Sequence, residues 1–154
     1  MFKFTGKRAT DLGVTNGRLA PPPRKPNCVS SQADPADAVH HIAPLELEGD
    51  AAVAMQKLRA VVEGMARTKV IESRADYLYA EFSTALMGYV DDVEFYCDGR
   101  AIHVRSASRL GYSDLGVNRK RVEAIRRVGG ISGESRSDNG RTDKSRGVGR
   151  LPRP

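Results

Sequence analysis

Residues 91–106 read DDVEFYCDGRAIHVRS, and this stretch predicts an antiparallel β-hairpin. Asp98-Gly99 can form a two-residue turn, because glycine adopts a positive φ freely and aspartate does so more readily than most residues. Such a turn places apolar side chains opposite one another on one face and unlike charges opposite one another on the other. The apolar pairs are Phe95–Ile102 and Val93–Val104, and the polar pairs are Glu94–His103 and Asp92–Arg105.

The sequence on either side of the hairpin predicts the rest of an α+β domain. Asp50 can cap a helix whose apolar residues recur at i, i+3, i+4 and i+7 up to Gly64. Residues 69–74 and 77–83 are strand-like, and in the second of them Leu78, Ala80 and Phe82 face the core while Tyr77 and Tyr79 face outward. Residues 119–128 form a second amphipathic helix with Asn118 as its N-cap and Gly129 as its left-handed stop. We expect a four-stranded antiparallel sheet with both helices packed on one face.

Composition divides the chain into three parts. Residues 1–26 form an extended, proline-rich basic arm, residues 27–128 form the α+β domain, and residues 129–154 form a disordered tail with too few apolar residues to fold. The arm holds six basic residues and one acidic residue, and the tail holds six basic and three acidic ones. The domain holds thirteen basic and fifteen acidic residues, so the net charge of +6 comes from the two ends.

This distribution of charge and cysteine excludes several classes of protein. A mildly acidic domain gives no reason to expect a nucleic-acid partner. Two dispersed cysteines and three histidines exclude a disulfide scaffold and match no zinc-ligand spacing, so we expect neither a metal nor a cofactor. No apolar run reaches the ~20 residues of a transmembrane helix, and no secretory signal is present, which predicts a cytoplasmic protein.

Residues 106–118, SASRLGYSDLGVN, form a long connection without helix or strand periodicity. Hydroxyl groups, an arginine and a helix N-terminus together predict a cradle for an anion. The candidate ligand-binding residues are Ser106, Ser108, Arg109, Ser113, Asp114, Asn118 and Arg119, together with Cys28 from a separate segment.

Two other interpretations stay open. In the structural one, Asp114 closes an Asx-turn, the glycines supply left-handed positions, and Arg109 pairs with an aspartate. The aspartates available to it are Asp91, Asp92 and Asp114, and the arginines of such an internal network are Arg105, Arg109, Arg119 and Arg121. In the enzymatic one, Cys28 or Ser108 is the nucleophile of a hydrolase and His40 or His41 is its base.

The chain resembles the bacterial and plastid family called domain of unknown function 1499 from about residue 12 to residue 127. The motifs that carry the resemblance are LGVTNGRLAP (12–21), PNCVSSQA (26–33), YLYAEFSTALMGYVDDVEF (77–95) and VRSASRLGYSDLGVNRKRVEAIR (104–126). The resemblance implies no activity, but it marks the Cys28 motif and residues 106–121, here called the signature segment, as characteristic. Many members have a cysteine in the proline-rich stretch, where this chain has Pro21-Pro22-Pro23.

From the residues we expect a small binding or accessory module rather than an enzyme. Its partner would be an anionic small molecule or another protein, held at the signature segment.

Overall fold

The computed structural model describes residues 6–85 and 88–130 of the 154-residue chain. Within them lie six strands and two helices, in an α+β arrangement. In chain order these are β1 (Cys28–Ser30), β2 (Leu45–Glu46), α1 (Ala51–Glu63), β3 (Thr68–Ser73), β4 (Tyr77–Ser83), β5 (Val90–Cys97), β6 (Ala101–Ser108) and α2 (Val117–Val128). The predicted disordered tail, residues 129–154, lies outside the described residues from position 131 onward.

The sheet is antiparallel in the order β1-β6-β5-β4-β3, with β2 also paired to β6. The predicted four strands are present as β3 to β6, but the predicted count of four is wrong because β1 and β2 extend the sheet beyond β6. These strands have three and two residues, which is too short for an alternating pattern to be recognised in the sequence.

Both helices pack on one face of the sheet, as predicted. Asp50 caps α1 by accepting a hydrogen bond from the Val53 N–H at 3.0 Å. The apolar side of α1 and that of α2 meet the inward side chains of the strands in a single core. The fully buried members of this core are Leu45, Leu58, Val62, Ala80, Val93, Phe95, Ile102, Val104, Val122 and Ile125.

The second face of the sheet is covered by residues 6–26, here called the N-terminal arm. Leu12, Val14 and Leu19 of the arm pack against Tyr77 and Tyr79. The alternation in β4 predicts that these tyrosines face solvent, and this prediction is wrong, since they are only 2% and 3% exposed. Alternation assigns a side chain to a face of the sheet, but it carries no information about a non-periodic segment that lies over that face.

The hairpin between β5 and β6 forms, but its register is offset by two residues from the predicted one. Cys97 pairs with Ile102 and Glu94 pairs with Arg105, so each side chain keeps its predicted face but has a different neighbour. The cause is Asp98, whose Oδ1 accepts the N–H groups of Arg100 and Ala101 at 2.8 and 2.9 Å. The turn therefore lies at Gly99-Arg100, one residue later than predicted, and the Asp98 N–H closes it by donating to the Ala101 carbonyl at 3.2 Å.

The second helix also differs from its predicted limits. It begins at Val117 with Gly116 as its N-cap, so Asn118 is an internal residue of the helix. Gly129 has φ −71°, and the positive φ that we expected there belongs to Gly130.

The Asp98 carboxylate makes the stability of the hairpin dependent on pH. Hydrogen bonds from the backbone of Ala101 and Arg100 lower the pKa of Asp98 to about 2, against about 3.9 in an unfolded chain. Its contribution is therefore present above pH 4 and is lost as the pH falls towards 2. We expect Asp98→Ala to lower the free energy of unfolding at pH 7 by about 1 kcal/mol, because solvent screens this side chain, which is about one-third exposed.

Urea denaturation of the wild type and of Asp98→Ala between pH 7 and pH 2.5 measures this effect. The difference between the two proteins should shrink steadily below pH 4. Asp76→Ala, in the exposed turn between β3 and β4, is the control for the loss of one negative charge. A difference that stays constant with pH contradicts the assignment.

Candidate functional site

The start of α2 is capped by a carboxylate of the chain itself. Asp114 Oδ1 accepts the Gly116 N–H at 2.8 Å, and Oδ2 accepts the Asn118 N–H at 3.1 Å. Gly111 and Gly116 have φ of +87° and +81°, left-handed values that suit glycine. The predicted Asx-turn at Asp114 is therefore present, and Asp114 occupies the position at this helix N-terminus where an external anion would bind.

Asn118 joins this turn to the sheet. Its side chain is fully buried, and Nδ2 donates to Asp114 Oδ2 at 2.7 Å, to Ser108 Oγ at 2.8 Å and to the Asn27 carbonyl at 3.1 Å. Its Oδ1 accepts the Ser106 hydroxyl at 2.6 Å. These bonds satisfy buried polar groups that would otherwise cost free energy, so the two serines and Asn118 have internal partners.

Arg121 fixes α2 to β5 on the face of the sheet that the two helices cover. Its NH2 lies 2.6 Å from Asp91 Oδ2, and its NH1 donates to Asn118 Oδ1 at 2.9 Å. Burial raises the pKa of Asp91, and the charge of Arg121 works in the opposite direction. A buried carboxylate is tolerated when a cation and hydrogen bonds surround it, and Arg121 provides both.

Arg109 lies on the opposite face of the sheet, beneath the N-terminal arm. Its Nε and NH2 donate to the two carboxylate oxygens of Asp92 at 2.9 and 2.8 Å, which is a bidentate ion pair. The side chains of Arg109 and Asp92 are only 7% and 3% exposed. The hydrogen bonds to Asp92 raise the pKa of Arg109 further, so the guanidinium stays charged. The structure therefore does not bring Arg109 together with the serines of the predicted cradle.

Arg119 also has internal partners. Its NH2 donates to the carbonyl of His41 at 2.9 Å and to that of Val39 at 3.2 Å, which fixes the loop before β2 against α2. Ser113 is the exposed residue of the predicted set, and its Oγ accepts the Leu115 N–H at 3.2 Å. The contacts of the predicted ligand residues thus follow the structural interpretation, with the difference that Arg119 binds carbonyl groups rather than carboxylates.

Cys28 lies on β1 and is 2% exposed. Burial raises the pKa of its thiol to about 11, which opposes formation of the thiolate. The Nδ1 atom of His40 is hydrogen-bonded to Asp37 Oδ2 at 2.6 Å, and its Nε2 atom is hydrogen-bonded to the Lys25 carbonyl at 2.9 Å. Both ring nitrogens of His40 are therefore engaged with groups other than Cys28 and Ser108.

The signature segment presents a feature that the sequence reasoning missed. Four large apolar side chains within eight residues of one another are exposed: Leu110 at 36%, Tyr112 at 71%, Leu115 at 85% and Val117 at 39%. Leu115 has φ +53°, a left-handed conformation that is unusual for a leucine. Apolar residues in a stretch without periodicity are the signal that indicates this surface.

Among residues 6–85 and 88–130 there is no group of three or more His, Cys, Asp or Glu residues that could hold a metal ion. In the same part of the chain, neither helix is long and apolar enough to cross a bilayer.

Residues 18–128 match the model of a family described as "Protein of unknown function (DUF1499)", which covers the sheet, both helices and the signature segment. No curated protein matches this chain.

The ion pair between Arg109 and Asp92 gives a prediction for stability. Arg109→Ala leaves the Asp92 carboxylate buried without its cation and should lower the free energy of unfolding by about 3–5 kcal/mol. Arg127→Ala removes an exposed arginine from α2 and should change it by no more than about 0.5 kcal/mol. Chemical denaturation measures both variants, and equal effects contradict this role for Arg109.

The environment of Cys28 predicts slow reaction with thiol reagents. Labelling of the native protein by a chromogenic disulfide at pH 7.5 should be much slower than labelling in denaturing urea, because the thiol is buried and protonated. His40→Ala should leave the native rate unchanged. Rapid native labelling at Cys28 that depends on His40 would instead identify a nucleophile and its base.

Proposed function

The chain belongs to the family described as protein of unknown function (DUF1499), and from its signature segment we propose that it is a binding module that docks onto an anionic lipid surface. The observation that carries this proposal is the exposure of Tyr112 and Leu115 on a loop that internal hydrogen bonds hold in place. The same hydrogen bonds give Asp114 its structural role: the carboxylate orders the loop, and the loop presents apolar side chains to solvent.

The fixed conformation of the loop supports a role in binding. Asp114 and Asn118 anchor its polar groups to the helix and the sheet, while Leu115 projects outward with a strained backbone. Strain of this kind persists only where the surrounding structure enforces it, and it is common at binding sites. A loop that is already ordered loses little conformational entropy when it binds.

Basic side chains flank the apolar group. Lys120 is exposed one turn of helix after Val117, and Lys7 follows Gly6, where an added Cβ would lie 3.1 Å from the Leu110 side chain. The carboxylate of Asp114, the acidic residue of the loop, accepts hydrogen bonds from N–H groups of its own chain. The exposed side chains of Leu110, Tyr112, Leu115 and Val117 are here called the apolar tip. An apolar tip with lysines beside it is complementary to a membrane surface, where anionic headgroups lie over hydrocarbon.

The size of the tip predicts weak and reversible binding. Full burial of one leucine side chain contributes about 1.5–3 kcal/mol, and each lysine near an anionic membrane contributes about 1 kcal/mol. Two leucines, a tyrosine and two lysines are therefore enough for reversible attachment without a lipid anchor or a transmembrane helix.

The lipid surface also accounts for the anionic group that the sequence predicts as the ligand. Its phosphates would lie outside the loop, near Lys120 and the accessible hydroxyl of Ser113, rather than among the buried serines. Arg109 and Arg119 would then act from within, by holding the loop in its binding conformation.

Co-sedimentation of the full chain with phosphatidylglycerol vesicles and with phosphatidylcholine vesicles tests this proposal. We expect binding to the anionic vesicles, and we expect the double variant Tyr112→Ser with Leu115→Ser to bind at least about tenfold more weakly. Lys120→Glu should weaken binding most at low ionic strength, because salt screens exposed charges.

Val53→Ser is the matched control, since Val53 is also an exposed apolar residue, 48% accessible, but lies on α1. It should bind vesicles like the wild type. The proposal fails if the double variant binds as well as the wild type, or if the wild type ignores anionic vesicles. A concentration-dependent dimer that the double variant abolishes would assign the tip to a second copy of the chain and would also contradict it.

A further inference from the structure

A cavity of about 600 Å³ lies between the N-terminal arm and residues 30–37, apart from the apolar tip. Its volume is in the range of small-molecule sites, which are usually about 300–1,000 Å³. The lining combines apolar side chains with polar ones, and the polar ones include both acidic and basic groups. Those that matter for a ligand are Asp11, Thr15, Arg18, Gln32 and Asp34.

Arg105 lies behind the wall of this cavity: it is not itself a lining residue, but it contacts Pro21 and Asp11, which are. It pairs with Ser30 of β1, which lines the cavity, and its NH2 donates to the carbonyl of Pro21, another lining residue. Arg105 is 4% exposed, yet that bond is long, at 3.3 Å, and its Nε has no hydrogen-bond partner. A buried guanidinium whose Nε–H is unpaired and whose NH2 makes one long bond is suited to a planar carboxylate, which can accept from both nitrogens at once.

The counter-ions around Arg105 are loosely placed. Asp11 lies 3.8 Å away, and its side chain is 56% exposed. Glu94 is the cross-strand neighbour of Arg105, but its Oε2 accepts the Gly13 N–H and the Tyr77 hydroxyl, and its Oε1 has no partner. By comparison, Arg109 on the same face holds Asp92 with two bonds of 2.9 Å or less. Arg105 therefore lacks the close anionic partner that its neighbour has.

The lining also includes the carboxylates of Asp34 and Asp37. Asp34 is exposed, and its Oδ1 accepts a hydrogen bond from the Ala36 N–H. Its Oδ2 can therefore accept a hydrogen bond from a cationic group of a ligand. Asp37 is already paired with His40, and Arg18 donates to the Gln32 carbonyl at 2.7 Å. A dianion such as phosphate would be repelled by these carboxylates, whereas a ligand with a positive and a negative group would satisfy both ends.

We propose that this cavity binds a small zwitterionic carboxylate of the amino-acid type. The ligand carboxylate displaces Asp11 and accepts hydrogen bonds from the Arg105 guanidinium, and the ligand ammonium group lies beside Asp34. Thr15 also lines the cavity, whereas the Gln32 amide bonds the backbone of Gly17 and Leu19 and holds the arm in place. This site is independent of the lipid surface proposed above, and the two can fail separately.

Thermal-shift and isothermal-titration measurements on the full chain with each of the twenty free amino acids test the proposal, with dipeptides as a second source of the same chemistry. Acetate, ethanolamine and inorganic phosphate serve as probes that lack one charge or carry the wrong one. We expect at least one zwitterion to bind and to raise the melting temperature more than any of these three.

Three variants distinguish this site from adventitious binding. Asp34→Asn should weaken binding by about two- to fivefold through loss of a partly exposed ion pair. Asp11→Asn should instead strengthen binding, because it removes the internal competitor for Arg105. Asp76→Asn, which removes an exposed carboxylate outside the cavity, should leave the affinity unchanged.

Arg105→Gln should weaken binding by about ten- to a hundredfold, the range for hydrogen bonds to a charged group. If this variant does not fold, the two aspartate variants still decide the matter. The proposal is overturned if no zwitterion binds, if phosphate or acetate binds as well, or if Asp11→Asn and Asp34→Asn behave like Asp76→Asn.

Discussion

Two adjacent aspartates in the central strand organise the rest of the structure. Asp91 and Asp92 point to opposite faces of β5, and each is 2% exposed. A buried carboxylate without a cation costs several kcal/mol, so each face needs an arginine. Both arginines follow β6: Arg121 binds Asp91 and holds α2 against the sheet, and Arg109 binds Asp92 beneath the arm. The signature segment must therefore cross from one face to the other.

This constraint changes the meaning of the polar residues in the signature segment. Serines, an aspartate and arginines in one loop resemble an anion site, but most of their hydrogen bonds go to the protein itself. The residues left for a partner are the apolar ones, with Leu115 the most exposed. A second polar region, around Arg105 and the arm, has donors that the protein leaves unused. Function is thus better sought where hydrogen bonds are unsatisfied or apolar groups are exposed than where polar residues are dense.

Much of the fold was predictable because local rules decided it. Asp50 caps α1, and the alternation of Leu78, Ala80 and Phe82 correctly identifies the core face of β4. The hairpin was predictable from Asp98-Gly99, but its register was not, since the Asp98 carboxylate binds two backbone N–H groups and changes the loop. Strands as short as β1 and β2 form through pairing with β6 and leave no periodic pattern.

By itself, the sequence determined which residues share a face and where the longer elements lie, and it left Arg109 either in an anion cradle or paired with one of three aspartates. Tertiary structure alone decided which one, because Asp91, Asp92 and Asp114 are equally available until the strands fix their faces. It also decided that Tyr77 and Tyr79 are buried, since the arm that covers them has no periodicity. The physical reason is the same in each case: periodicity is a property of one segment, whereas burial and ion pairing depend on which segments meet.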